Sequence, residues 1–149
     1  MQSLNFPPYP IQIKKDAGKE LVFDPIRKMW VALQPEEWVR QHVLVFLLED
    51  RGVPAGLIAV EKGFTYQGKP YRADIIVHDR EGKPAMMIEC KAPEVSISQA
   101  AFDQAATYNQ VIRARYLYVT NGLLHFCSKI DWSRQTYEFI SSVPGFDDF

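Results

Sequence analysis

Asp74, Glu89 and Lys91 are the residues of this chain whose types and spacing carry the most chemistry. They fall on two stretches that read as strands, Tyr71 to His78 and Ala85 to Lys91, separated by Asp79-Arg80-Glu81-Gly82-Lys83. A turn centred on Glu81-Gly82 sets Ile75 opposite Ile88, Ile76 opposite Met87 and Asp74 opposite Glu89. Strand alternation then gives Ala73, Ile75, Val77, Met86, Ile88 and Cys90 one apolar face. Arg72, Asp74, Ile76, Met87, Glu89 and Lys91 share the other. Opposed Cβ atoms lie roughly 4.5–5.5 Å apart, where like charges repel. Two carboxylates so placed call for a shared proton or a cation between them. A divalent metal answers this, since Mg²⁺ commonly takes one or two carboxylates plus waters. Lys91 reaches the same spot, and a metal beside an ammonium suits phosphodiester hydrolysis.

Glu-x-Lys alone says little, because Glu81-Gly82-Lys83 repeats it within the turn and such a pair can simply be solvated. The aspartate across the hairpin distinguishes the second copy. Three further residues are candidates. Gln104 and Tyr108, four apart on a helix, share a face; the amide can bridge a ligand and a phosphate, and the ring can stack on substrate. Glu37, in the first turn of an earlier helix, is either a dipole-complementing acid or a further metal ligand. Lys62, Lys69, Arg72, Arg113 and Arg115 can border a cleft and meet phosphates, or serve as a solvated face. His42, His78 and His125 have no ligand spacing. Trp30, Trp38 and Trp132 read as packing aromatics.

The elements that must position these residues follow from turn and cap signals. Ile11 to Lys14 and Glu20 to Phe23 flank Asp16-Ala17-Gly18 as a hairpin, with Met29 to Leu33 a further short extended piece. Pro35 opens a helix whose Val39, Val43, Phe46 and Leu47 share a face, and Gly52 and Pro54 end it. Leu57 to Thr65 is a strand ahead of the carboxylate hairpin, and Pro93 closes the hairpin. Ser96 or Ser98 caps a second helix that runs to about Ile112. Tyr116 to Thr120 and Leu123 to Cys127 flank Asn121-Gly122, a strong hairpin signal, and Thr136 to Ile140 adds a last strand. The expected fold is a mixed α/β sheet with helices packed on it, one domain over residues 1–149 with its core at about 35–127.

Composition bounds the partners. The chain has 149 residues, 47% hydrophobic and 23% charged, the profile of an ordinary globule large enough to need no disulfide. Cys90 and Cys127 make no metal or redox spacing and read as reduced thiols in a cytoplasmic protein. No apolar run is long enough for a membrane span, and no secretory signal is evident. The net charge of −1 and pI near 6.3 argue against broad, non-specific DNA binding but not against a local basic rim.

Taken together, the αβββαβ order, Asp74, Glu89-Cys90-Lys91 and Gln104-Ala-Ala-Thr-Tyr108 resemble the PD-(D/E)XK nuclease superfamily. Phe23-Asp24-Pro25-Ile26-Arg27-Lys28, the helix start Pro35-Glu36-Glu37-Trp38-Val39-Arg40-Gln41, and Arg72-Ala73-Asp74 through Glu89-Cys90-Lys91-Ala92-Pro93 resemble the N-terminal nuclease domain of type I restriction enzyme R proteins. The similarity runs from about Phe23 to Cys127. It implies a restriction-endonuclease-like core with a short N-terminal β extension. It also implies DNA cleavage dependent on Mg²⁺ or Mn²⁺, with one or two ions. By the same resemblance Asp74, Glu89 and the Cys90 backbone carbonyl ligate metal, Glu37 is a helix carboxylate near them, and Lys91 and Gln104 join the catalytic set. Tyr108 and Arg72 are then substrate contacts. R proteins join this domain to an ATP-driven motor, whereas this sequence holds no Gly-x-x-x-x-Gly-Lys-Ser/Thr loop, so a separate motor or specificity protein is an expected partner. A catalytically silent module that binds DNA or assembles with a partner is the alternative. Oligomeric state stays open.

Overall fold

The computed structural model describes residues 1–149. Three short strands come first: β1 (Ile13–Asp16), β2 (Lys19–Asp24) and β3 (Met29–Ala32). They pair antiparallel as a small sheet of their own, with Ala17-Gly18 as the first turn. Helix α1 (Pro35–Asp50) begins at Pro35, whose fixed φ and missing N–H suit a first turn.

Six strands make the main sheet in the order β4 (Ile58–Tyr66), β5 (Lys69–His78), β6 (Pro84–Cys90), β7 (Tyr116–Thr120), β8 (His125–Asp131) and β9 (Thr136–Ile140). Helix α2 (Gln99–Ile112) crosses over between β6 and β7, so that pair alone is parallel and the rest are antiparallel. Such a crossover places its helix on a sheet face. All five residues of β7 are buried, as expected for a strand covered on both faces.

The sheet separates two apolar clusters. On one side Val39, Val43, Leu44 and Leu47 of α1 pack on Ile75, Val77, Met86, Ile88 and Cys90. On the other, Phe102 and Ala105 of α2 pack on Ala73, Ile76, Met87, Leu117 and Val119. The Ile75–Ile88 and Ile76–Met87 pairings inferred from the turn are present. Ala73 is the exception to the expected faces, lying with Ile76 in the second cluster. The cause is local. Glu61, beside Asp74 on the neighbouring strand, has φ +53°, and the β4–β5 ladder skips the Glu61–Asp74 pair. The alternation breaks between Ala73 and Ile75 at this unpaired position, with the register unchanged on either side of it.

Ser98 caps α2 by accepting a hydrogen bond from the Ala101 N–H at 3.1 Å, and Arg113 ends it in the left-handed conformation. The chain then turns into β7 around Asn109, wholly buried. Its amide donates to the Ala114 carbonyl at 3.1 Å and accepts from the Ala114 N–H at 3.0 Å. Asn109→Ala strips both partners from the turn that sets α2 against β7. It is expected to cost about 1–3 kcal/mol in urea unfolding at unchanged m value.

The N-terminal segment is pinned rather than loose. The Asn5 N–H donates to the Gly122 carbonyl at 2.7 Å. At Gly122, φ is +84° and an added Cβ would sit 2.9 Å from a Leu4 methyl, so only glycine closes this contact. Both cysteines are buried free thiols. No helix is long and apolar enough to cross a membrane.

Candidate nuclease centre

Strands β5 and β6 bring Asp74 and Glu89 together at the end of their ladder, just beyond the Ile75–Ile88 pair. Asp74 Oδ2 accepts the Cys90 N–H at 2.7 Å, so this carboxylate closes the hairpin where backbone pairing stops. Its other oxygen lies 3.6 Å from Arg40 Nη1. The Asp74 and Glu89 carboxyl groups are within hydrogen-bonding reach of each other. Lys91 follows directly, its N–H held by the Thr120 carbonyl at 2.8 Å as the parallel β6–β7 pair ends.

The electrostatics follow from this crowding. Burial raises the Asp74 pKa, opposed by the Cys90 N–H and by the Arg40 charge. Burial also raises Glu89, and the Asp74 charge and hydrogen bond add to it, carrying Glu89 up to about 9. Lys91 acts in the opposite sense on both acids, so its ammonium is near the pair. Two acids that share a site in this way hold a proton between them in the absence of another cation. The Cys90 side chain points into the α1 core, and burial pushes its thiol well above the ordinary range. Only its backbone faces the acids.

Gln104 and Tyr108 project from α2 on the same face, and the Gln104 amide donates to the Tyr108 hydroxyl at 3.3 Å. Tyr108 is close enough to Glu89 for that charge to bear on it. Gln104 is exposed. Arg72, expected as a substrate contact, is exposed and lies 3.6 Å from Glu61.

Glu37 departs from its expected place as a metal ligand. Its oxygens accept from Arg40 Nε at 2.7 Å, from Arg40 Nη2 at 3.0 Å and from Arg27 Nη2 at 3.0 Å. Burial works against its charge, but Arg40 and then Arg27 hold its pKa below the ordinary value. The Arg40 guanidinium thus touches Glu37 along one edge and Asp74 along another. The helix acid that senses the centre is its neighbour. Glu36 is exposed, and after burial the leading influences on its raised pKa are Asp74 and Lys91. One residue along a helix is a turn of about 100°, so Glu36 and Glu37 face different surroundings.

Arg40, missed from sequence, belongs to a larger group. Asp24, wholly buried, accepts the Ile26 and Arg27 N–H groups at 2.8 Å each, Arg27 Nε at 2.8 Å and the Gln41 amide at 3.0 Å. Glu61 lies 3.3 Å from Arg40 and 3.5 Å from Arg27. The signal available was two local pairs, Asp24–Arg27 at the end of β2 and Glu37–Arg40 on α1, each three residues apart; nothing local joins them to each other or to Glu61 on β4.

No group of three or more His, Cys, Asp or Glu side chains is arranged to hold a metal ion. A two-carboxylate donor set with water completing the shell is nonetheless ordinary for Mg²⁺. Asp74 and Glu89, crowded against their own repulsion, fit such a hard cation. Residues 35–144 match the family model described as the type I restriction enzyme R protein N terminus. The chain belongs to that family. A search of curated protein sequences finds no match. Among solved structures, a fragment described as an HsdR subunit of a type I restriction enzyme from Vibrio vulnificus YJ016 superposes with a TM-score of 0.56. Identity is 22%, and the match covers 77% of this chain but 24% of that one, so the likeness establishes the fold. This R protein N-terminal chain spans about a quarter of the length of that relative.

Proposed function

We propose that this chain is a divalent-cation-dependent DNA nuclease domain that hydrolyses phosphodiester bonds at Asp74, Glu89 and Lys91, and works alongside a motor or specificity protein of a restriction system. The observation that carries this is the carboxylate pair itself: two acids forced together at a strand end, with Lys91 beside them. A structural pair would gain nothing from that repulsion, whereas a cation site gains affinity from it.

Asp74 and Glu89 would hold Mg²⁺ or Mn²⁺, as one ion or two, with the Cys90 carbonyl as a further oxygen donor. A cation bound there supplies charge to polarise a phosphoryl oxygen and acidify a water. The chain's own groups do the rest. The Cys90 N–H fixes one Asp74 oxygen, and Arg40 favours the ionised form of the other. Lys91 offers its ammonium to negative charge that grows on the phosphate, or orients the attacking water. Gln104 and Tyr108 border the approach to Glu89.

Purified protein incubated with plasmid and single-stranded DNA is expected to cut in Mg²⁺ or Mn²⁺ and not in EDTA. Lys91→Ala should lower the rate by roughly 10²–10³-fold, the usual effect of removing one preorganised stabiliser. Asp74→Asn should abolish cutting. Equal cutting by both variants would overturn the assignment. That only two side-chain carboxylates gather favours a second reading, a nuclease-shaped module that binds DNA without cutting it. Isothermal titration with Mn²⁺ separates the two, since a silent module takes up no ion at Asp74 and Glu89.

A further inference from the structure

The β4–β5 hairpin carries a group of rings that the carboxylate pair does not account for. Register sets Phe64 opposite Tyr71 and Tyr66 opposite Lys69, so these four side chains stand on one face of the hairpin. Phe64 belongs to the α2 side of the sheet. From α2, Tyr108 comes within 4.8 Å of Tyr71, 5.6 Å of Phe64 and 5.7 Å of Tyr66, centroid to centroid. Phe64 and Tyr71 are themselves stacked at 5.9 Å and 25°. All four rings are half-buried, so each keeps part of its surface in solvent. An open groove of about 600 Å³ runs past Phe64, Pro70, Tyr71 and Arg72.

The charge of this hairpin is opposite to that of the whole chain. Over β4 and β5 it holds Lys62, Lys69 and Arg72 against Glu61 and Asp74, a net charge of +1 (3 − 2) within a protein of net charge −1, with Arg72 3.6 Å from Glu61. All three cations are exposed. Rings interleaved with cations on one short hairpin match the two parts of an unpaired strand, π-faced bases and phosphates. A duplex hides its base faces and presents phosphate alone. Tyr108 joins the ring group to the carboxylate pair, since its hydroxyl is held by Gln104 and it lies near Glu89.

We propose that the β4–β5 hairpin, with Tyr108, is a stacking platform for unpaired DNA bases and leads a single-stranded segment to the Asp74–Glu89–Lys91 centre. The platform stands on its own geometry; only its delivery role rests on the nuclease proposal. It also fits the acidic composition, because a compact aromatic site needs little of the broad basic surface that duplex binding by phosphate neutralisation requires.

The test is fluorescence anisotropy in EDTA with a labelled single-stranded DNA oligonucleotide and with its duplex. Metal-free buffer separates binding from cutting. The wild-type chain is expected to bind the single strand at least about tenfold tighter than the duplex, on the scale of one base–ring stack. Tyr66→Leu and Tyr71→Leu, which keep apolar bulk for packing on α2, should weaken single-strand binding about tenfold and leave duplex binding unchanged. Lys69→Gln should weaken both and reduce the salt slope by about one. Equal wild-type affinity for the two forms, or leucine variants that melt and bind like wild type, would overturn the platform. The wild-type comparison decides even where a variant fails to fold. Strand preference without Mg²⁺-dependent cutting would retire the nuclease proposal and leave the platform standing, while cutting without strand preference would do the reverse.

Discussion

Mg²⁺ is expected to raise the melting temperature of the metal-free protein, and Glu89→Gln is expected to abolish that response. A ligand at a hundred times its dissociation constant stabilises the folded state by about 2.7 kcal/mol. For a domain of this size that is a shift of roughly 5–10 °C. A cation at the pair would offset the Asp74 charge that, after burial, raises the energy of ionised Glu89. Metal-free stability should therefore depend on pH in a definite direction. Glu89 is raised from its ordinary 4.5 to about 9, so the folded state holds a proton that the unfolded chain releases. Its contribution is complete below about pH 4.5 and is lost as pH rises through 9. Asp24 and Glu37 act in the other direction. Their pKa values are lowered, so their contribution is present at neutral pH and fades in acid. Melting in EDTA should thus be highest in mild acid and fall toward pH 9, while saturating Mg²⁺ flattens the alkaline side. Glu89→Gln should show the flat alkaline side without metal. A wild-type profile already flat in EDTA, or an equal Mg²⁺ shift in the variant, would contradict the site.

The largest stability effect is expected at Arg40. Its guanidinium serves Glu37 through two hydrogen bonds and lies 3.3 Å from Glu61 and 3.6 Å from Asp74. Arg40 and Glu37 are both buried, and removing one member of a buried pair leaves the other charged and uncompensated. Arg40→Met should cost roughly 3–5 kcal/mol by chemical denaturation. Arg40→Lys should recover little, because an ammonium cannot span Glu37 and Asp74 at once in place of a planar fork. Arg40→Met with Glu37→Leu should recover a large part, since the pair is then replaced by apolar groups of similar bulk. A single substitution that costs under about 1 kcal/mol would mean that the group is solvated and behaves as a surface pair.

The parts of this architecture that were legible in the sequence were those set by local chemistry. Asp79 to Lys83 turned as composition suggested, and Ile75 meets Ile88 and Ile76 meets Met87, but only after a register shift between Val77 and His78 that the turn alone does not supply. Pro35, Ser98 and Asn121-Gly122 marked α1, α2 and the β7–β8 turn. What escaped depended on backbone irregularity or on distance. Nothing in the residue type of Glu61 announces a positive φ, so the displaced face of Ala73 could not be foreseen. The pairing of Glu37 with Arg27 and Arg40 depends on how α1 seats relative to the β2–β3 turn, which its first-turn position does not show. Arg40 was a visible i,i+3 partner of Glu37, but its contact with Asp74 exists only once α1 lies over β5. The ring group was half legible: Phe64, Tyr66 and Tyr71 alternate on adjoining strands, while Tyr108 joins them across 37 positions from Tyr71 (108 − 71) only through the fold.

The family match begins at residue 35, yet Asp24 and Arg27 lie ahead of it and are bonded to Gln41 and Glu37. A fragment cut at that boundary would keep every acid and lysine of the proposed centre while losing one of the two arginines that neutralise Glu37 and the buried carboxylate that receives the Gln41 amide. Arg40 would then be left to balance Glu37 by itself, drawing its charge away from Asp74. The small leading sheet is in this sense a counterweight to the Asp74–Glu89 edge of the large one, and the interlocked unit starts earlier than the residues that the family model matches.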